Sequence, residues 1–124
     1  MDFSKVIGQK HLKAHLLKTV ENGRIPHAQL FVGAPGSGIL PMAIAYASEI
    51  LSSNYEKGSA SHQSCLSKII KLMHPDLHFV YPVNTNQVIK KHAVSSHFSE
   101  DWRKFVLKNS YSSLFEWLQS LGIE

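Results

Sequence analysis

Ala28-Gln29-Leu30-Phe31-Val32-Gly33-Ala34-Pro35-Gly36-Ser37-Gly38-Ile39-Leu40 runs from a short apolar stretch through a glycine-rich turn into an aliphatic segment. The first five residues have the composition and closing glycine of a buried parallel strand. Pro41 to Leu51 is rich in alanine and reads as a helix hydrophobic on most sides. Strand, glycine turn and buried helix in that order open an α/β nucleotide-binding core. The expected fold is therefore of the P-loop NTPase type, a parallel sheet with flanking helices.

A working phosphate loop reads G-x-x-x-x-G-K-[ST]: its amides cradle phosphates, its lysine reaches the β and γ groups, and its hydroxyl holds magnesium. Gly33 and Gly38 stand at that spacing with Gly36 and Ser37 between them, but Ile39 takes the lysine position, Leu40 the hydroxyl position, and Pro41 follows. Two aliphatic side chains remove the charge neutralisation on which phosphoryl transfer depends. Hydrolysis is expected to be absent. A glycine-rich string taken alone is as readily a flexible turn, and it is the strand before it and the helix after it that favour the phosphate loop.

Upstream, Leu12, Leu16, Leu17 and Val20 recur at helical spacing between Gly8 and Asn22, and Gly23 closes that helix. Downstream, Ser52 to Ser61 is polar and small and reads as a loop; helix resumes near His62 and carries Leu66, Ile69, Ile70 and Met73 until Pro75. Leu77-His78-Phe79-Val80-Tyr81 is a second candidate strand, ended by Pro82. Val83 to His97, with Lys90-Lys91, has no period and is expected to be an exposed connection. Ser99 is the expected N-cap of a helix reaching Lys108, with Glu100 and Asp101 in its first turn, and Ser112 or Ser113 starts a last helix.

With 124 residues, 44% of them apolar, the chain can fill one ordinary core. It lacks the roughly 20-residue apolar run of a membrane helix and its start lacks a secretion signal, so a cytoplasmic protein is expected. The lone Cys65 excludes an internal disulfide. The formal charge of +4 comes from scattered residues. Lys10, Lys13, Lys18, Arg24, Lys90, Lys91, Arg103, Lys104 and Lys108 read as solvated faces rather than a DNA-binding surface. Trp102, Phe105, Phe115 and Trp117 read as core or subunit contacts rather than base-stacking platforms. No serine lies in a nucleophile turn.

Four segments together carry a resemblance: Phe3-x-x-Val6-Ile7-Gly8-Gln9, Gly23-Arg24-Ile25-Pro26-His27-Ala28, Leu30-Phe31-Val32-Gly33 and His74-Pro75-Asp76-Leu77. In that order and spacing the chain resembles the N-terminal AAA+ domain of bacterial DNA polymerase III clamp-loader subunits, and the missing lysine points to the delta-prime branch. The resemblance covers roughly residues 3 to 81. It implies that Val6, Ile7, Gly8 and Gln9 match an adenine pocket, which with Gly33, Gly36, Ser37 and Gly38 makes a vestigial nucleotide site, expected to be empty. The competing reading of Val6 to Gln9 is helix-entry packing.

The same family carries a four-cysteine zinc module after the phosphate-loop helix. Counting back from Cys65 puts Ser59 and His62 at two of the other positions, with Ser52 or Ser53 near the first. Too few ligands remain for a tetrahedral site, so neither zinc nor ATP is expected as a cofactor. A salvage set of His62, Cys65, His74 and His78 is the alternative, and scattered histidines are more often hydrogen-bonded surface residues. The resemblance thus leads to the expectation of a degenerate zinc module from 52 to 74 and of residues 1–124 as the N-terminal part of an AAA+ domain, with lid and collar absent. The partners implied are the delta and gamma/tau subunits, with the sliding clamp and DNA contacted indirectly. The alternatives are an active P-loop ATPase or nucleotide kinase with an atypical loop, and a protein-interaction domain on a decayed ATPase scaffold.

Overall fold

The computed structural model describes residues 2–85, 89 and 91–122, and these described residues include five α-helices. They are α1 (Lys10–Glu21), α2 (Ile39–Ser52), α3 (Ala60–Ile70), α4 (Ser99–Lys108) and α5 (Leu114–Ser120). Short 3₁₀ turns precede α1 at Phe3–Lys5 and α4 at Ser95–Phe98. Among the described residues there is no strand and no sheet.

The parallel-sheet expectation is therefore corrected, and the reason lies in the two candidate strands. Around 77–83 the chain is extended and alternates like a strand: Leu77, Phe79, Tyr81 and Val83 turn to the core, while Val80 is 93% exposed. A strand becomes sheet only when its amides and carbonyls pair with a neighbour. Here Tyr81 N–H donates to Ser95 Oγ at 3.3 Å, Ser95 Oγ–H donates to the Tyr81 carbonyl at 3.1 Å, and the Tyr81 hydroxyl donates to the Ser95 carbonyl at 2.6 Å. A side chain thus stands where a neighbouring strand would be. At 28–32, Leu30 and Val32 are 88% and 84% exposed, so that run is not a buried strand. It is held by Phe31, edge-on to Tyr46 of α2 with ring centroids 6.1 Å apart, and by Gln29 Nε2 donating to the Tyr46 hydroxyl at 2.8 Å.

The helices follow the local chemistry closely. α1 ends in a Schellman arrangement in which Gly23, at φ 63°, donates to the Val20 carbonyl at 3.0 Å and Arg24 N–H to the Thr19 carbonyl at 3.1 Å. Ser59 caps α3 by accepting the His62 N–H at 3.1 Å. Ser113 and Glu116 form a capping box at the start of α5. Ser99 does not cap α4: the 3₁₀ turn shifts the cap position to Phe98, and Ser99 instead receives both Nε and Nη2 of Arg103 at 3.2 Å.

The apolar α2 lies between α1 and α3 and feeds two parts of the core. Met42, Ala45 and Tyr46 join Phe3, Val6 and Leu16, while Ile44 joins Leu72 and Val106. A third cluster unites Tyr81, Phe98 and Trp117, with Trp102 and Phe105 packed against it. Phe115, by contrast, is 65% exposed.

Candidate functional site

The glycine loop is a tight turn delivering the chain into α2. Ser37 N–H donates to the Ala34 carbonyl at 3.1 Å, Gly36 and Gly38 sit at φ 78° and 95°, and Gly38 is the N-cap of α2. Glycine is needed at both positions because other side chains are strained there. A helix N-terminus attracts anions through its unpaired first-turn amides. In α2 the third residue is Pro41, which has no N–H, and the Met42 amide already donates to the Gly38 carbonyl at 3.1 Å. The anion-binding end is reduced to the amides of Ile39 and Leu40.

The Ile39 side chain occupies the loop's own interior. A β-carbon built on Gly33 would lie 2.7 Å from Ser37 Oγ and 3.1 Å from Ile39 Cγ1. Leu40 packs toward Ile44, Leu72 and Val106. The residues in the lysine and hydroxyl positions thus offer neither a cation nor a metal ligand.

The expected site residues are brought only partly together. Gln9, Ser37 and Gly38 line one cleft of about 420 Å³ together with Phe31 and Ile39. Gly33, Gly36 and Gly38 line a second cleft of about 480 Å³, whose opposite wall is Ser110 to Leu114. Val6 is buried in the first core cluster and its carbonyl accepts Lys13 Nζ. Gly8 and Gln9 are both left-handed, at φ 67° and 56°, and turn the chain into α1. Ile7 is the link between the two regions: its N–H donates to the Tyr111 hydroxyl at 2.8 Å.

Tyr111 was invisible to pattern reading. It sits in the turn between α4 and α5, in no periodic segment, and meets Ile7 across 104 residues of sequence. Only the fold puts it there.

Of His62, Cys65, His74 and His78, Cys65 and His74 line one cleft, which His62 and His78 do not line. His62 Nδ1 accepts the Gly58 N–H at 3.5 Å and His74 Nδ1 accepts the Asp76 N–H at 3.1 Å, each serving its own turn. Among the described residues no three His, Cys, Asp or Glu side chains form a group able to hold a metal. Cys65 is buried in α3, and burial pushes its thiol above the ordinary value. Burial likewise raises the Tyr81 phenol, with nearby Arg103 opposing it.

The cations are dispersed. Lys104 pairs with Glu100 at 2.8 Å along α4, Arg103 is folded onto Ser99, and Lys13 is bound to the Val6 carbonyl. Lys90 lies outside the described residues. Trp102, Phe105 and Trp117 are spent on packing one another, with the Trp102 and Trp117 rings edge to face at 5.0 Å, and no stacking platform is left from these three. Among the described residues no helix is long and apolar enough to cross a membrane.

Comparison with known proteins gives one family. The profile of the family described as DNA polymerase III, delta subunit matches residues 8–113, most of the chain and the whole of the glycine loop, α2 and α3. No curated protein and no solved structure gives a significant match.

Proposed function

Because the chain belongs to the DNA polymerase III delta subunit family, we propose that it works in the cytoplasm as the delta-prime-type, non-hydrolysing subunit of a bacterial clamp loader. In this role it supplies a stationary surface to ATP-hydrolysing neighbours that open and close the sliding clamp on DNA. Its partners are the delta and gamma/tau subunits, while the clamp and DNA are engaged through them. Neither ATP nor zinc is a cofactor of this chain.

The observation that carries the proposal is the replacement of cation and metal ligand by Ile39 and Leu40, with Ile39 turned into the loop and Pro41 deleting a first-turn amide. Such a loop lacks the charges that stabilise phosphoryl transfer.

The test is reconstitution with delta, gamma/tau, the sliding clamp and primed DNA. ATP-driven clamp loading should require the chain, and the chain alone should neither bind nor hydrolyse magnesium ATP. Micromolar, magnesium-dependent ATP binding by the isolated chain would sink the proposal, as would full loading activity in its absence.

A further inference from the structure

We infer that Tyr111 is a built-in plug of the vestigial phosphate loop, an internal side chain standing where a nucleoside phosphate would have to enter. The inference rests on reading Gly33 to Leu40 as a phosphate loop that has lost its chemistry, and it adds which side chain stands against that loop.

The plug is held at both ends. Its hydroxyl accepts the Ile7 N–H at 2.8 Å. Its ring lies against Gly38, where an added β-carbon would come within 3.1 Å of Cε1, 3.6 Å of the hydroxyl oxygen and 3.7 Å of Cζ. Its carbonyl oxygen reaches over Gly36, 3.9 Å from the corresponding β-carbon there. The aromatic ring therefore bridges the segment before α1 and the N-cap of α2, and Gly38, which is buried, faces the ring.

The arm that carries the plug is itself fixed. Asn109 N–H donates to the Phe105 carbonyl at 3.2 Å, Tyr111 N–H donates to Asn109 Oδ1 at 3.0 Å, and Ser112 N–H donates to the Asn109 carbonyl at 3.2 Å. Val106 on one side and Trp117 on the other are fully buried, so α4 and α5 clamp the turn from both ends. An anion that enters the cleft between the glycine loop and Ser110 to Leu114 would have to displace a ring that is hydrogen-bonded, packed and tethered. That displacement lowers apparent affinity by the fraction of time the plug is out.

The experiment compares wild type, Tyr111→Phe and Tyr111→Ala by titration with a fluorescent ADP analogue, alongside amide hydrogen exchange at Ile7. Tyr111→Ala should gain about tenfold in affinity over wild type. Tyr111→Phe, which keeps the ring and loses the hydroxyl, should speed Ile7 exchange by about tenfold while helical content is unchanged. Equal, weak binding by wild type and folded Tyr111→Ala overturns the plug and leaves the proposed function standing. Tight magnesium-dependent binding by wild type overturns the proposed function itself. Should Tyr111→Ala fail to fold, unchanged Ile7 exchange in Tyr111→Phe still overturns the plug.

Discussion

Trp117 donates its indole N–H to the carbonyl oxygen of Pro82 at 2.8 Å, tying the last helix to the extended segment 35 residues upstream. The same indole meets Tyr81 edge-on at 5.3 Å, and Tyr81 in turn stacks on Trp102 at 4.3 Å with the planes 11° apart. A segment with no strand partner among the described residues is thus fixed by aromatic contacts and one directed hydrogen bond. Trp117→Ala should cost about 3–5 kcal/mol in urea unfolding followed by circular dichroism. Trp117→Phe keeps an aromatic ring and should cost about 1–2 kcal/mol, since the exposed Pro82 carbonyl can turn to water. Equal losses for the two variants would show that volume at position 117 is immaterial.

Leu72 closes α3 in the left-handed conformation, φ 53°, while its side chain is buried against Ile44 and Val106. Met73 N–H donates to the Lys68 carbonyl at 2.9 Å and Leu72 N–H to the Ile69 carbonyl at 2.8 Å, a Schellman ending with leucine where glycine is usual. Packing overrides backbone preference here. Leu72→Ala loses the packing and keeps the strained φ, whereas Leu72→Gly loses the packing and relieves the strain, worth about 1 kcal/mol. Leu72→Gly should therefore be the milder variant by thermal unfolding, inverting the ordinary order of alanine over glycine at a helix end.

Gly38 and Gly58 have nearly the same backbone, φ 95° and 82°, but a β-carbon at Gly58 meets nothing within 4 Å while one at Gly38 meets the Tyr111 ring. Gly58→Ala should cost about 1 kcal/mol, the backbone term alone. Gly38→Ala should cost more and should also raise hydrogen exchange at Ile7, because the added methyl pushes the ring that accepts its N–H. Identical stability losses with Ile7 exchange unmoved would mean that the ring gives way freely.

Helices were legible because their signals are local. The spacing of Leu12, Leu16, Leu17 and Val20, the stop at Gly23 and the start at Ser113 each depend on neighbours a turn away, and each appears near its expected place. The sheet was misread because apolar content marks an extended segment without saying what it pairs with. Leu77 to Val83 does alternate as a strand does, yet Ser95 and the indoles take the positions a ladder would fill. At the candidate site, Gly36, Ser37 and Gly38 lie in a tight turn into α2, and Val6 is buried in the first core cluster. The Tyr111 contact depends on two turns 104 residues apart and leaves no trace in any window of sequence.

Cys65 gives a pH prediction with a definite sign. Its thiol is buried in α3 and burial raises its pKa in the folded protein, with Lys68 offsetting part of the rise. The unfolded chain then releases this proton at lower pH than the folded one. Stability from the group is fully present below the ordinary thiol value of about 8.5 and is lost as pH rises from there through the folded value. Cys65→Ser should flatten that decline between neutral and alkaline pH in urea titrations, at the expense of burying a hydroxyl. The same burial predicts slow modification by a thiol reagent at neutral pH, accelerating in parallel with unfolding as urea is added. Labelling of the native protein at the rate of a free thiol would place Cys65 at the surface and remove the cause of the shift.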